Sequence, residues 1–457
     1  APAVFTTDTT VNREGWGGLR FLHSEGVSKL RSCIVEHGRA VGYGDYGLGG
    51  GLFLDQAEVE LNASTVQYCV AGSGHGIYAR AGSRLTANDC QFLENGTGIG
   101  SGGAVCLRTG SSLTASGTHF ANNQAFYGGA LLIDRSSALL VDCIFQKNTA
   151  DISGGAIFGS DATLTARGTR FSSNRSVAGG AVDARASVQV NMERCRFVGN
   201  SAMLNGAHGS GGALLFQSGS QNINHCTFVN NSAASGGAIH GGVALRLSNS
   251  IIVGQHQGGG VHFPTPGAIV RYSCFANNTG GSFTGPQTPR NIGLLTNRNA
   301  NGDSCDAYCN ILLDPLFNDS TETGIELTPG SPCIDAGDPL SSPDPDGSLP
   351  DLGALWYAPL SVNEDHVELP AVAMLLPAYP NPFNPATTLA FDLARPGLVS
   401  LKVFDLLGRE MAVLLNGSLQ PGRHSLQWNA AEAPAGTYFA VLETAGVRTA
   451  QKLLLLK

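Results

Sequence analysis

The chain has 457 residues, 61 of them glycine, with 42 % apolar and only 14 % charged residues and a net charge of −8. That length allows two or three domains with a sizeable core. The acidic balance argues against a nucleic-acid partner, which needs a basic patch, and no run of about 18 apolar residues is present to form a transmembrane segment.

The chain opens "APAVFTTDTT", with neither an initiator Met nor a leader, and is read as a processed or trimmed product. From residue 1 to about 270 it repeats. Gly-Gly or Gly-x-Gly followed by an apolar residue begins at Gly17, Gly50, Gly74, Gly102, Gly128, Gly154, Gly179, Gly211, Gly236 and Gly259. A second ladder runs through Phe92, Phe120, Phe145, Phe171, Phe197 and Phe228. Three residues after each stands Asn95, Asn123, Asn148, Asn174, Asn200 or Asn231. A third ladder, two residues before each Phe, reads Cys90, Thr118, Cys143, Thr169, Cys195 and Cys226.

Each unit holds short alternating segments bounded by Gly, Asn and Ser, and none has a helical period. Three strands per unit predict an all-β fold, a right-handed parallel β-helix of about 10–12 coils stacked at about 4.8 Å. In that fold Phe stacks on Phe, and Asn sits in a left-handed turn while its amide bonds to the next Asn. Gly-Gly turns a corner where a Cβ would clash. Cys90, Cys143, Cys195 and Cys226 are then free, packed thiols. Cys305 and Cys309 in "DSCDAYC" fall outside the ladder and are the candidate for a local disulfide if the protein is extracellular.

The units from Gly74 to Asn278 resemble the polymorphic outer-membrane-protein repeat. The motif is Gly-Gly-Ala-Ile followed by Phe-x-x-Asn, as in Gly154–Ile157 with Phe171 and Asn174, and in Gly236–Ile239. The resemblance implies a β-helical surface or adhesin-like stalk. The segment "APAVFTTDTT…GWGGLRF" looks like the second coil of such a helix, so a further coil upstream is expected.

Residues 271–357 lose the period and are read as irregular closing coils that cover the exposed sheet edge. They resemble the distal segment of bacterial surface β-helices with interchangeable C-terminal anchors, through Asp314, Pro315, Phe317, Ser331, Pro332, Asp335, Gly337, Asp346, Gly347, Asp351 and Gly353. Asp335, Asp338, Asp344, Asp346 and Asp351 make Ca²⁺ the one cofactor the sequence raises; the alternative is Asx-turn chemistry in a Pro-rich loop.

Residues 358–376 read as a linker. Residues 377–457 carry alternating segments such as "LVSLKVFD" and "TYFAVLE", which predict a small immunoglobulin-like β-sandwich. This end resembles the C-terminal sorting domain of type IX secretion cargo and the related domain of the flagellar hook-capping protein. The matching residues are Tyr379, Pro380, Asn381, Pro382, Phe383, Asn384, Pro385, Asp405, Gly408, Arg409, Gly422, Trp428, Gly436, Thr437, Tyr438 and the tail from Lys452. The resemblance implies handling by an outer-membrane secretion machinery and delivery to the surface or medium of a Gram-negative-type bacterium.

No motif dictates a reaction. If the residue after Gly-Gly-Ala points inward, the next points outward. The outward column then reads Arg20, Phe53, Tyr78, Cys106, Leu132, Phe158, Asp183, Leu215, His240 and His262. Phe53, Tyr78, Leu132, Phe158 and Leu215 form an apolar stripe, which is covered by a loop, the sandwich or another copy, or else binds a sugar polymer. Asp183, Arg185, His240 and His262 are the catalytic candidates. The function these patterns favour is an extracellular structural or adhesion protein, able to associate with itself or with surface glycans. The rival is a secreted carbohydrate-binding protein, polysaccharide lyase or glycoside hydrolase.

Overall fold

The computed structural model describes residues 2–7, 16–97, 99–204, 206–318, 325–358, 374–376, 378–393, 397–419, 422–444 and 447–456. The chain divides into two compact units, Ala1–Pro359 and Leu360–Lys457.

The first unit is a parallel β-solenoid of three long sheets with 11, 11 and 10 strands. Each coil gives one strand to each sheet. In one central coil these are Val105–Arg108, Ser112–Ser116 and His119–Ala121. The repeat maps onto them residue by residue. Phe92, Phe120, Phe145, Phe171, Phe197 and Phe228 are register partners in the first sheet. They are fully buried, with ring centroids 4.5 to 5.1 Å apart. That spacing matches the rise of a stacked strand, so the rings stack without leaving their rotamers.

The Asn ladder is buried and continuous. Asn148 Oδ1 accepts from the backbone and the side-chain amide of Asn123, both at 3.0 Å. Asn148 Nδ2 donates to Phe120 O at 2.9 Å and to Asn174 Oδ1 at 3.0 Å. The expectation that these Asn residues are left-handed is corrected. The positive-φ residue is the one before each: Glu94, Asn122, Lys147, Ser173, Gly199 and Asn230. The preceding residue makes the turn, which frees the Asn side chain to point inward along the stack. The ladder continues through Gln255, whose Oε1 accepts from Asn231.

The corners follow the glycine argument. Gly154 has φ +67, and a Cβ on Gly155 would run into the carbonyl of Gly180 in the next coil. The ladder thiols Cys90, Cys143, Cys195 and Cys226 are buried and unbonded, their sulfurs turned toward backbone carbonyls.

The parallel sheets run past residue 270, to Cys274–Ala276 and Phe283–Thr284, because Phe275 still fills the core position. After Thr284 the chain adds no further full coil to the three sheets among the described residues. Ile311 adds one rung to Cys274. The later part folds back along the outer face of the first sheet, where Ile325, Leu327, Cys333 and Leu352 pack on Val198, Val229 and Ile251. Arg194–Asp344 at 3.2 Å and Arg271–Asp338 at 3.0 Å pin it, as does a 2.8 Å bond from Ala354 N to Thr227 Oγ1. Ile251 and Val253 are the cause: an outward face carrying apolar residues needs a cover. The expected linker, 358–376, falls mostly outside the described residues.

The second unit holds a three-stranded and a four-stranded antiparallel sheet, formed by Met374–Leu375, Ala386–Leu393 and Gly422–Asn429, and by Gly397–Asp405, Glu410–Leu419, Gly436–Thr444 and Val447–Leu455. Phe391, Leu401, Val403, Trp428 and Leu453 fill the space between them. This is a small β-sandwich.

Candidate functional site

The outward column forms as a single register line along the second sheet, Arg20–Phe53–Tyr78–Cys106–Leu132–Phe158–Asp183–Leu215–His240–His262. Its apolar part is not open. Phe53, Tyr78, Cys106 and Leu132 are buried as a second small core beneath Leu48 and Tyr127, with Phe158 half-buried against them. Leu48 follows the short 3₁₀ turn Gly44–Gly47, and Tyr127 ends the strand Gln124–Tyr127. Both belong to the connections that lead into the Gly-Gly corner. The chain's own loops therefore cover the stripe.

Charged side chains seal the edges of this second core. The Arg20 and Arg80 guanidiniums stand 4.8 and 5.1 Å from the Phe53 ring centroid, and Arg185 stands 5.6 Å from that of Phe158. Arg80 is paired in turn with Asp45 and Asp55, each at 2.7 Å, and Arg108 with Asp134 at 2.7 Å. Arg80 and Arg108 are thus neutralised locally by Asp45, Asp55 and Asp134.

Asp183 is fully buried where the apolar stripe ends. It accepts from Arg185 at 2.9 Å and from Ser153, and Arg185 also donates to Ser153 at 3.0 Å. Burial raises the Asp183 carboxyl above its usual range, against the pull of Ser153 and Arg185. His240 and His262 stack at 4.8 Å. His240 Nδ1 lies 3.1 Å from Ser235 Oγ, which is 3.0 Å from Ser210 Oγ. His262 Nδ1 lies 3.1 Å from Thr284 Oγ1. Arg185, Ser210, Leu215, Gln217, His240 and Thr265 line a cleft of about 520 Å³.

The four catalytic candidates are thus neighbours, but they form two separate pairs. Asp183 and His240 are two rungs apart, roughly 9–10 Å along the sheet. The Asp183 charge is already held by Arg185 and Ser153, so it does not orient the imidazole as a relay requires. A glycosidase needs two carboxyls about 5–9 Å apart across the bond it breaks; no carboxylate is among the described residues lining this cleft.

Burial, then the neighbouring His262, pushes the His240 pKa down to about 4. The folded value lies below that of the unfolded chain, so the unfolded state takes the proton first. The stability contributed by neutral His240 is complete above about pH 6.5 and is lost as pH falls toward 4, by roughly 3 kcal/mol at most. His240→Gln should flatten the slope of chemical-denaturation stability between pH 6.5 and 4 relative to wild type. Identical slopes would refute this.

Four of the five acidic candidates accept bonds within the fold, while Asp335 Oδ1 is buried without a hydrogen-bond partner. Asp338 and Asp344 pair with Arg271 and Arg194. Asp344 Oδ2 also accepts from Asp351 N at 2.7 Å, and Asp351 accepts from the backbone of Asp335 at 2.7 Å and of Tyr357 at 2.5 Å. Asp346 accepts from Ser348. No group of three metal-binding side chains forms among the described residues. Burial pushes the Asp351 carboxyl up to about 6 despite its two N–H donors. Cys305 and Cys309 stand as thiols.

The motif residues of the second unit lock its last strand. Asn381 Oδ1 accepts from Leu454 N at 2.9 Å and Nδ2 donates to Lys452 O at 2.8 Å. Phe383 is buried beside Trp428, ring centroids 5.4 Å apart. Pro380 O accepts from Thr387 Oγ1 at 2.7 Å, Pro385 O accepts from Ala430 N, and Tyr438 Oη donates to Pro434 O at 2.6 Å. Pro382 and Asn384 flank the buried Phe383 and are exposed. Gly408 turns a hairpin at φ +78, held by Arg409–Asp405 at 2.7 Å. Gly436 begins the strand paired with the last one.

Sequence reasoning missed Ser153, Ser210 and Ser235. A signal existed: each immediately precedes a Gly-Gly-Ala corner. It missed Leu48 and Tyr127 as covers, since a loop's landing place leaves no period in the sequence.

Residues 49–252 match the family profile described as the right handed beta helix region. Residues 377–456 match the one described as the secretion system C-terminal sorting domain. No curated protein matches the chain at a significant level. The second match, to a type IX sorting domain, marks the chain for handling by that secretion machinery and for the cell surface or extracellular space. Among the described residues no helix is long and apolar enough to cross a membrane.

Proposed function

We propose that this chain is a structural or adhesion protein of the bacterial surface, its solenoid a non-catalytic stalk exported through the C-terminal domain. The observation that carries this reading is the second core. A column that faces outward by register is closed by the chain's own loops and by neutralised ion pairs, so it contributes rigidity rather than an open, charged groove. The likeness of the repeats to polymorphic outer-membrane-protein units supports an adhesin-type role. A finer version has copies assembling into a fibre or sheath; light scattering of the exported protein should then show oligomers, and a strict monomer at tens of micromolar ends that version.

One observation favours a second reading. The cleft beside Arg185, Gln217 and His240 joins a cation, an amide and an imidazole over the apolar Leu215, a composition suited to hydrogen-bonding a sugar polymer. A panel of neutral and acidic polysaccharides, with and without Ca²⁺, separates the readings. The stalk reading expects neither turnover nor retention on the polymers, together with loss of cell attachment when the gene is deleted. Release of unsaturated or reducing ends at ordinary enzyme rates would overturn it. Retention without turnover, abolished by Arg185→Ala, would establish the glycan-binding reading.

A further inference from the structure

The outward column of the second sheet carries two histidines in succession. His240 and His262 are register partners on adjacent parallel rungs, at the ends of the strands Ile239–His240 and Val261–His262. Their rings stack with centroids 4.8 Å apart and planes opened by 27°. His240 Nδ1 lies 3.1 Å from Ser235 Oγ, and His262 Nδ1 lies 3.1 Å from Thr284 Oγ1. Neither Nε2 has a hydrogen-bond partner among the described residues, and neither is buried.

The rest of the column differs. Phe53, Tyr78, Cys106 and Leu132 lie in the second core, and Asp183 is held by Arg185 and Ser153. Two residues beyond the column position, other coils place Asp55, Arg80, Arg108, Asp134 and Arg185, which form ion pairs over the sheet. The same place beside the histidines holds Gly242 and Pro264, so no charged side chain there covers the imidazoles.

The imidazole nitrogen is a preferred donor for Zn²⁺, Ni²⁺ and Cu²⁺. With its proton on Nδ1 and donated to the hydroxyl, each ring turns the Nε2 lone pair to solvent. Ser235 accepts that bond and still donates to Ser210 Oγ, 3.0 Å away. Two Zn–N bonds of about 2.0–2.1 Å at a tetrahedral angle need nitrogens about 3.3 Å apart. The rings already stand one rung apart and open, and small rotations about χ1 and χ2 close the remainder without moving the backbone.

We propose that His240 and His262 bind one divalent transition-metal ion of this class through their Nε2 atoms. Ser235 and Thr284 are positioning residues that hold the rings through Nδ1, and water fills the remaining positions. Two protein ligands make an open site, unlike a structural site closed by four. It stands at the rim of the cleft that His240 lines with Arg185, Ser210 and Gln217.

The test uses the untagged full chain, stripped with a chelator and titrated with Zn²⁺ by calorimetry beside a His240→Ala/His262→Ala double variant. Wild type is expected to take up one equivalent more than the double variant. Equal uptake overturns the proposal. Each single variant should bind at least about tenfold more weakly than wild type; wild-type affinity in either one overturns a two-histidine site. Ser235→Ala should weaken binding by about 10–100-fold, and unchanged affinity overturns the role given to Ser235. Zn²⁺ should raise the melting temperature of wild type and not that of the double variant, because the ion binds the folded chain; an equal rise in both counts against the site. Cu²⁺ gives a readout that needs no variant. The electron paramagnetic resonance spectrum of wild type with one equivalent should show two nitrogen ligands, and a spectrum with one or none overturns the proposal.

Discussion

Asn148→Leu is expected to destabilise the solenoid by about 4 kcal/mol, because four buried groups, Asn174 Oδ1 among them, lose a partner at once and each orphaned group costs about 1–3 kcal/mol. The backbone N–H of Asn123 loses its only side-chain acceptor, the Asn123 amide loses one of its two, and Phe120 O loses a donor. Leu branches as Asn does, but its two methyl groups are bulkier than the amide oxygen and nitrogen, so overpacking at a fully buried site adds to the effect. Lys147→Gly is the matched control one residue away. Lys147 carries the left-handed turn at φ +53, where Gly relieves strain, so this variant should lie within about 1 kcal/mol of wild type. Chemical denaturation followed by circular dichroism measures both. A mild Asn148→Leu beside a severe Lys147→Gly would reverse the assignment of ladder and turn.

Removing the second unit should have the largest effect in the cell and almost none on the fold. A chain ending at Pro359, the edge of the first unit, keeps every coil contact, since each coil in a solenoid touches mainly its neighbours. Its melting transition should match that of the same unit in the full chain. Whole-cell labelling should fall to the level of an unexported control, with the truncated protein retained inside the outer membrane. Normal surface display of the truncated chain would refute the sorting role and leave the sandwich as a structural module only.

Both experiments rest on features that were legible in the sequence to different degrees. The β-helix was legible because its order is local and periodic. One coil places Phe145, the next places Phe171, and the only tertiary information needed is that like stacks on like. The sandwich was legible for the same reason at a shorter period, and its motif residues proved to be the latch on the last strand. The outward column from Arg20 to His262 was read correctly as a register line, because alternation along a strand is a property of the backbone alone.

What covers that column, and what each polar residue along it meets, depended on the tertiary structure. Leu48 and Tyr127 pack against the cluster of Phe53, Tyr78, Cys106 and Leu132 through connections of irregular length, and no period announces where such a loop lands. The same holds for residues 325–357. The segment folds back and presents Asp344 and Asp338 to Arg194 and Arg271, far away in sequence. Likewise the left-handed residue and the ladder Asn are adjacent in sequence. Which of them turns and which points inward is decided by the stack: only the side chain inside the coil has another amide one rung above and one rung below.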